Sequence, residues 1–291
     1  MKVFVTGASG FIGSAVVAEL QRRGHKVVGL ARSSASAEAL AKAGASVHRG
    51  DIADPDSVVP ALKNVDAVIH TAFNHDFSQY AENCASDGRL LAAMAEALVG
   101  TNKPLIATSG TNVTVGREFA SEQDPASDQA PRGASEVFLN YADRGVRTAV
   151  VRLPPSVYGP GDTAFIPALI ALARERGIAG YVQDGQNRWS AVHREDAARL
   201  FCDVLEQVQP GARYHGVGES GIAFRTIAEA ISASVGVPVK QIADEQVDQH
   251  FGWPGMFARL DMSAVSDWTR ETTGWSPKEA GLIDTMRGYQ S

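Results

Sequence analysis

Three glycines near the start of the chain, in Thr6-Gly7-Ala8-Ser9-Gly10-Phe11-Ile12-Gly13, have the spacing of a phosphate-binding turn. Glycines at such intervals permit a tight turn, a close backbone approach to a pyrophosphate, and close packing of helix on strand. The N–H groups that open the following helix are unpaired and carry partial positive charge, which suits an anion. A dinucleotide cofactor is expected. Further on, Leu30-Ala31-Arg32-Ser33-Ser34 closes a second apolar run with no acid before Glu38. A carboxylate there would accept the ribose hydroxyls of the adenosine. Arg32 instead can pair with a 2′-phosphate, and Ser33 can donate to it. NADP(H) is therefore expected over NAD(H), the alternative being that Arg32 is a solvated loop charge stacked on the adenine.

Proton chemistry has fewer candidates. His75-Asp76 supplies a side chain that titrates near neutrality, either as an acid or base or as an exposed His paired with its neighbour. Only seven of the 27 basic residues are Lys, and none lies between Lys103 and Lys240. Cys84 and Cys202 cannot build a disulfide framework or a four-ligand metal site, so no metal is expected.

These residues need a scaffold, and the first half alternates strand and helix. Val3–Thr6 is a short β-branched run ending at Gly7, and Phe11 to Arg23 carries apolar residues at helical spacing up to Gly24. Strands are expected again at Lys26–Leu30, Ala45–His48, Asp66–His70, Pro104–Thr108 and Arg147–Leu153, with helices between them. That alternation predicts right-handed βαβ units and an α/β, Rossmann-type doubly wound parallel sheet. His75 then falls at the carboxyl edge, where such folds bind ligands. Residues 1–155 read as the cofactor domain. Residues 156–291 read as a smaller mixed substrate-binding part with some segments returning to the sheet. Helices are expected there at Arg194–Gln207, Phe224–Val235 and Ser263–Thr272.

The net charge of −6 argues against nucleic acid or an anionic membrane as a partner. The longest uncharged apolar stretch, near Ala164–Ala173, is far short of the ~20 residues that span a bilayer. With no signal pattern at Met1-Lys2-Val3-Phe4-Val5, a cytoplasmic protein acting on a small molecule is expected.

With Gly50-Asp51-Ile52, His70-Thr71-Ala72, Val157-Tyr158-Gly159-Pro160 and Val192-His193 before Glu195-Asp196, the glycine motif resembles the short-chain dehydrogenase/reductase superfamily, in its extended, nucleotide-sugar-epimerase-like branch. The resemblance implies that Gly7, Ser9, Gly10, Phe11, Ile12 and Gly13 hold the diphosphate and that Asp51 and Ile52 lie beside the adenine. It implies too that Thr71, Ala72, Phe73, Pro154 and Val157 line the cofactor. Members of that superfamily use a Ser or Thr with a Tyr and, four residues later, a Lys. Counting back from Gly116, Thr111 takes the Ser/Thr position, but Arg132 and Glu136 stand where Tyr and Lys belong. No other Tyr has a Lys four residues on.

Three readings of Arg132 and Glu136 stay open: a structural i,i+4 ion pair, electrostatic support of an alkoxide by Arg132, or a site that no longer does redox chemistry. Tyr158 and His193 are further proton donors in principle, though a packing or capping role suits each. Where nucleotide-sugar enzymes set an Arg against the diphosphate, Trp189 takes the position and Arg188 lies one residue out of register. The aromatics Phe73, Phe77, Phe165, Trp189, Trp253 and Phe257 suit a smaller, more apolar ligand or the core. The leading expectation is an NADP(H)-dependent oxidoreductase on a small carbonyl or alcohol, with Thr111, Arg132 and His75 catalytic. The alternatives are an epimerase or dehydratase on a sugar or nucleotide sugar and a non-enzymatic NADP(H)-binding regulator. A homodimer is expected through the helices at about 87–98 and 133–144, where Leu90, Leu91 and Met94 suit either a partner or the sheet.

Overall fold

The computed structural model describes residues 1–114 and 118–287. Gly116, the reference for the Thr111 register, lies outside the described residues. A run of strands, buried but for the edge strand β3, dictates the core: β1 (Lys2–Thr6), β2 (Lys26–Ala31), β3 (Ser46–Arg49), β4 (Ala67–His70), β5 (Pro104–Gly110) and β6 (Arg147–Leu153). Four of the five β1 residues and all four of β4 are buried, as strands covered on both faces must be. Every pairing among these strands is parallel. The connecting helices are α1 (Phe11–Arg22), α2 (Ser34–Lys42), the single turn α3 (Pro55–Val58) and α4 (Tyr80–Ala97).

Past residue 155 come β7 (Ser156–Tyr158), α5 (Phe165–Arg176), β8 (Ala179–Val182), β9 (Arg188–His193), α6 (Arg194–Gln207), β10 (Ala212–His215), β11 (Glu219–Ala223), α7 (Phe224–Val235) and β12 (Val239–Ile242). β10 returns to the main sheet beside β6, giving the order β10-β6-β5-β4-β1-β2-β3. The order reverses between β1 and β4, which places the ligand crevice at their carboxyl ends. One face of the sheet packs on α1 and α6, with Val3, Val5, Ile69, Ala197 and Phe201. The other packs on α4 and the helical segment Pro131–Arg144, with Phe4, Val68, Leu91 and Phe138. The smaller sheets β11-β9-β7 and β12-β8 share a third core with α5 and α7.

The sequence expectations differ from this fold in several places, and the helix expected at Ser263–Thr272 starts only at Asp267. α4 begins at Tyr80, two turns before the expected start. Pro131–Arg144 is a 3-10 helix, a tighter coil than the expected α-helix. Leu90, Leu91 and Met94 are fully buried within the protomer, so they face the sheet and not a partner. Among the described residues no helix is long and apolar enough to cross a membrane, and no group of acidic, His and Cys side chains could hold a metal.

Candidate functional site

At the carboxyl edge of β1 the chain must turn within a few residues to enter α1. Gly7 adopts φ +67°, and a Cβ on it would lie 2.7 Å from the Ala72 nitrogen. A Cβ on Gly13 would lie 2.0 Å from the Gly7 oxygen. No side chain fits at either place, so the backbone itself forms the floor of a cleft of about 470 Å³. Of the expected cofactor residues, Gly7, Ser9, Arg32, Ser33, Asp51, Ile52, Ala72 and Phe73 line that cleft. Gly10, Phe11, Ile12 and Gly13 form the turn and the first turn of α1 beside it. Thr71 donates to the Thr6 oxygen (2.8 Å), Pro154 is buried, and Val157 pairs with Val192 in the second sheet. The cleft also runs along the face of α4 formed by Asn83, Ser86, Asp87 and Leu90. Those residues recur at helical spacing, the one signal that would have found them.

At the adenosine end one of the two expected phosphate donors has a structural role. The Ser33 hydroxyl accepts from the Ser36 nitrogen (3.1 Å) and caps α2, while Arg49 donates to the Ser33 carbonyl (2.6 Å). Arg32 is largely exposed and lies 3.9 Å from the Asp51 carboxylate.

The Arg132 and Glu136 side chains do not pair with each other. Arg132 Nη1 donates to Asp87 Oδ2 (2.9 Å) and Nη2 to the Thr108 carbonyl (2.8 Å), with the guanidinium 3.9 Å above the Phe73 ring. Ser135 Oγ also donates to Asp87 (2.6 Å). His70 is fully buried and its Nε2 lies 2.8 Å from Asp87 Oδ1. A carboxylate only accepts, so Nε2 carries a proton, while Nδ1 lies 2.7 Å from the Thr6 hydroxyl oxygen and shares a hydrogen bond with it. Thr6 Oγ1 in turn accepts from the Ala72 nitrogen (3.3 Å) on the cleft wall. Burial works against a charge on Asp87, but His70, Arg132 and Ser135 together hold its pKa below the ordinary value. Glu136 is gripped by Arg152 through two bonds (2.7 and 2.8 Å) and by Arg213 (2.9 Å). The two positions that the superfamily gives to its dyad are thus each locked in a buried ion pair.

Thr111 is 3% exposed, and its hydroxyl has no hydrogen-bond partner among the described residues. A buried, unpaired hydroxyl is costly unless a ligand or water takes it, but neither Thr111 nor Arg132 is among the residues that line the cleft, so of the three expected catalytic residues only His75 is on it. His75 lies on the cleft lining, edge-on to Phe73 at 5.3 Å. Surrounding protein and then the Arg132 charge lower its pKa, leaving a neutral imidazole at pH 7. Tyr158 Oη is engaged by Glu219 and the Ala280 carbonyl, and His193 Nδ1 caps α6 by accepting from the Glu195 nitrogen. Trp189 is fully buried between Phe165 and Phe224, and Arg188 pairs with Asp261 at 3.0 Å.

Residues 3–217 match the model of the NAD dependent epimerase/dehydratase family. An uncharacterized protein of Schizosaccharomyces pombe is 42% identical, over 98% of each chain. A 2-alkyl-3-oxoalkanoate reductase of Stenotrophomonas maltophilia is 30% identical, over 82% of this chain and 77% of its own. Among solved structures, the dTDP-glucose 4,6-dehydratase DesIV from Streptomyces venezuelae, with NAD and TYD bound, has the same fold at TM-score 0.79. It is 22% identical and covers 100% of this chain and 97% of its own. The NADP(H) expectation is corrected by that finding, since the dehydratase carries NAD. The physical reason lies in the loop chemistry. The Ser33 hydroxyl caps α2, and the Asp51 carboxylate lines the same cleft 3.9 Å from the exposed Arg32, so a phosphate placed there meets an acid as well as the Arg.

Proposed function

The chain belongs to the NAD dependent epimerase/dehydratase family, as an atypical member of the short-chain dehydrogenase/reductase superfamily, and on that footing we propose that it binds NAD(H) and acts on a sugar or nucleotide sugar. The single observation that carries this reading is the cleft running from the glycine turn to Asp87, at the point where the strand order reverses. Gly7, Gly10 and Gly13 would accept the diphosphate against backbone N–H groups, with Ser9 and Ala72 beside it. Asp51 and Ile52 would face the adenosine. A 2′-phosphate at Arg32 would have to sit against the Asp51 carboxylate, a repulsion that NAD(H) avoids.

When bound, the nicotinamide supplies the site at which hydride is taken up and returned. The chain's own residues do the rest. The Thr111 hydroxyl would hold the substrate oxygen. A guanidinium is no proton donor at neutral pH, so Arg132 would act only as a fixed positive charge. His75 is held neutral, so it is suited to take a proton from an alcohol.

One observation favours a second reading, reduction of a small ketone. Trp189 fills the position where nucleotide-sugar enzymes put an Arg, leaving a substrate diphosphate without that anchor. The S. maltophilia relative is a reductase of 2-alkyl-3-oxoalkanoates. Incubation with dTDP- and UDP-sugars, and separately with 3-oxo acids plus NADH, decides between them. Product without net change in NADH supports the first reading, and stoichiometric NADH loss supports the second. Tight cofactor binding without turnover on either panel overturns both and leaves a cofactor-binding regulator.

A further inference from the structure

We propose that Arg194 is a second-side ligand of the cofactor diphosphate, closing over it from the C-terminal part of the chain. This rests on the NAD(H) reading above. α1 and α6 lie side by side and run the same way. Late in both, Arg23 reaches Asp203 (2.8 Å) and Glu206 (3.2 Å). At their starts, the first residue of α6, Arg194, has its guanidinium carbon 5.1 Å from the ring centre of Phe11, the first residue of α1. A cation at the start of α6 therefore stands beside the ring of Phe11, the residue that follows Gly10 of the glycine turn.

The side chain is aimed by its neighbours. Nε donates to Glu195 Oε1 (2.9 Å) and Nη1 to the Pro160 carbonyl (3.0 Å). The loop that carries Pro160 packs directly on it: a Cβ at Gly159, where φ is +141°, would lie 3.1 Å from Arg194 Cγ. Among the described residues none accepts a hydrogen bond from Nη2, so one edge of the planar fork is unused. A guanidinium fixed on two sides with a free edge loses little entropy on meeting a phosphate oxygen, and the contact is charge-assisted. Gripped from both α1 and Arg194, the cofactor would leave slowly. That suits a reaction that returns its hydride to the same substrate.

Adenosine, ADP and NADH titrated into the parent protein, R194M and R194K test this, because ADP differs from adenosine only by the diphosphate. The expected result is that R194M weakens ADP and NADH about tenfold to a hundredfold and leaves adenosine within about twofold, while R194K, which keeps the charge but not the planar fork, falls between R194M and the parent. Circular dichroism checks the fold, and R194Q replaces R194M if that variant fails it. An unchanged ADP affinity in R194M, or an equal fall for adenosine, overturns the role of Arg194 alone. A parent protein that binds neither ADP nor NADH overturns the cofactor reading and this inference with it.

Discussion

Restoring the superfamily's dyad by R132Y/E136K is expected to unfold the protein instead of activating it. Glu136 is buried and accepts three hydrogen bonds from two guanidinium groups, with Arg152 itself fully buried. Burial alone would raise the Glu136 pKa, but the bonds and charge of Arg152 and then Arg213 hold it below the ordinary carboxylate value. Neutralising it, as in E136Q, leaves Arg152 buried without a counter-charge, a change that typically costs about 3–5 kcal/mol. E136K adds a third cation within contact distance of the other two and should cost more. R132Y adds a further loss, because Asp87 then keeps only His70 and Ser135. A domain of ordinary stability has about 5–15 kcal/mol in hand, so the double variant should be largely unfolded. Urea unfolding followed by circular dichroism reads this directly. E136Q should move the midpoint down by roughly 1–2 M, and R132Y/E136K should show no native baseline. Parental midpoints for both would refute the argument that these positions serve the fold.

Three other outcomes follow from particular groups. Thr111→Val should lower kcat about 10²–10³-fold on any substrate turned over, while Thr111→Ser stays near parental. Stability should barely change in either, since the hydroxyl has no protein partner to lose. Burial pushes the Asp162 pKa up to about 6, against the hydrogen bonds from the Ala164 and Thr163 nitrogens. A carboxylate with a raised folded pKa favours folding below its unfolded value near 3.8 and loses that contribution as pH rises through 6. Asp162→Asn should therefore stabilise above pH 6, by at most about 3 kcal/mol, with no gain below pH 4 in thermal melts. A homodimer through the outer faces of α4 and Pro131–Arg144 is expected; light scattering at micromolar concentration showing only the 30.8 kDa species would reject it.

Much of the scaffold was legible because local periodicity decides it. The β1–turn–α1 unit, β6, α6 and α7 follow from short buried runs, helical spacing and glycine stops. So was the loss of the dyad, because one missing residue type is visible without a structure. Partners were not legible. Asp87 meets Arg132 across 45 positions and Glu136 meets Arg152 across 16, so neither follows from i,i+4 reasoning. The first two turns of α4 were missed because Asn83 and Ser86 face a polar cleft and break the apolar pattern there. The cofactor preference failed for a related reason: Arg32 suggested a phosphate site, and the Asp51 carboxylate beside it comes from the loop after the next strand.

Calorimetric titration of the purified protein with NADH and with NADPH tests the central claim most directly. NADH should bind in the cleft at one site per chain and more tightly than NADPH, because the Asp51 carboxylate opposes the extra phosphate. Asp51→Asn should narrow that difference. Tighter binding of NADPH, or no binding of either nucleotide, would contradict the account.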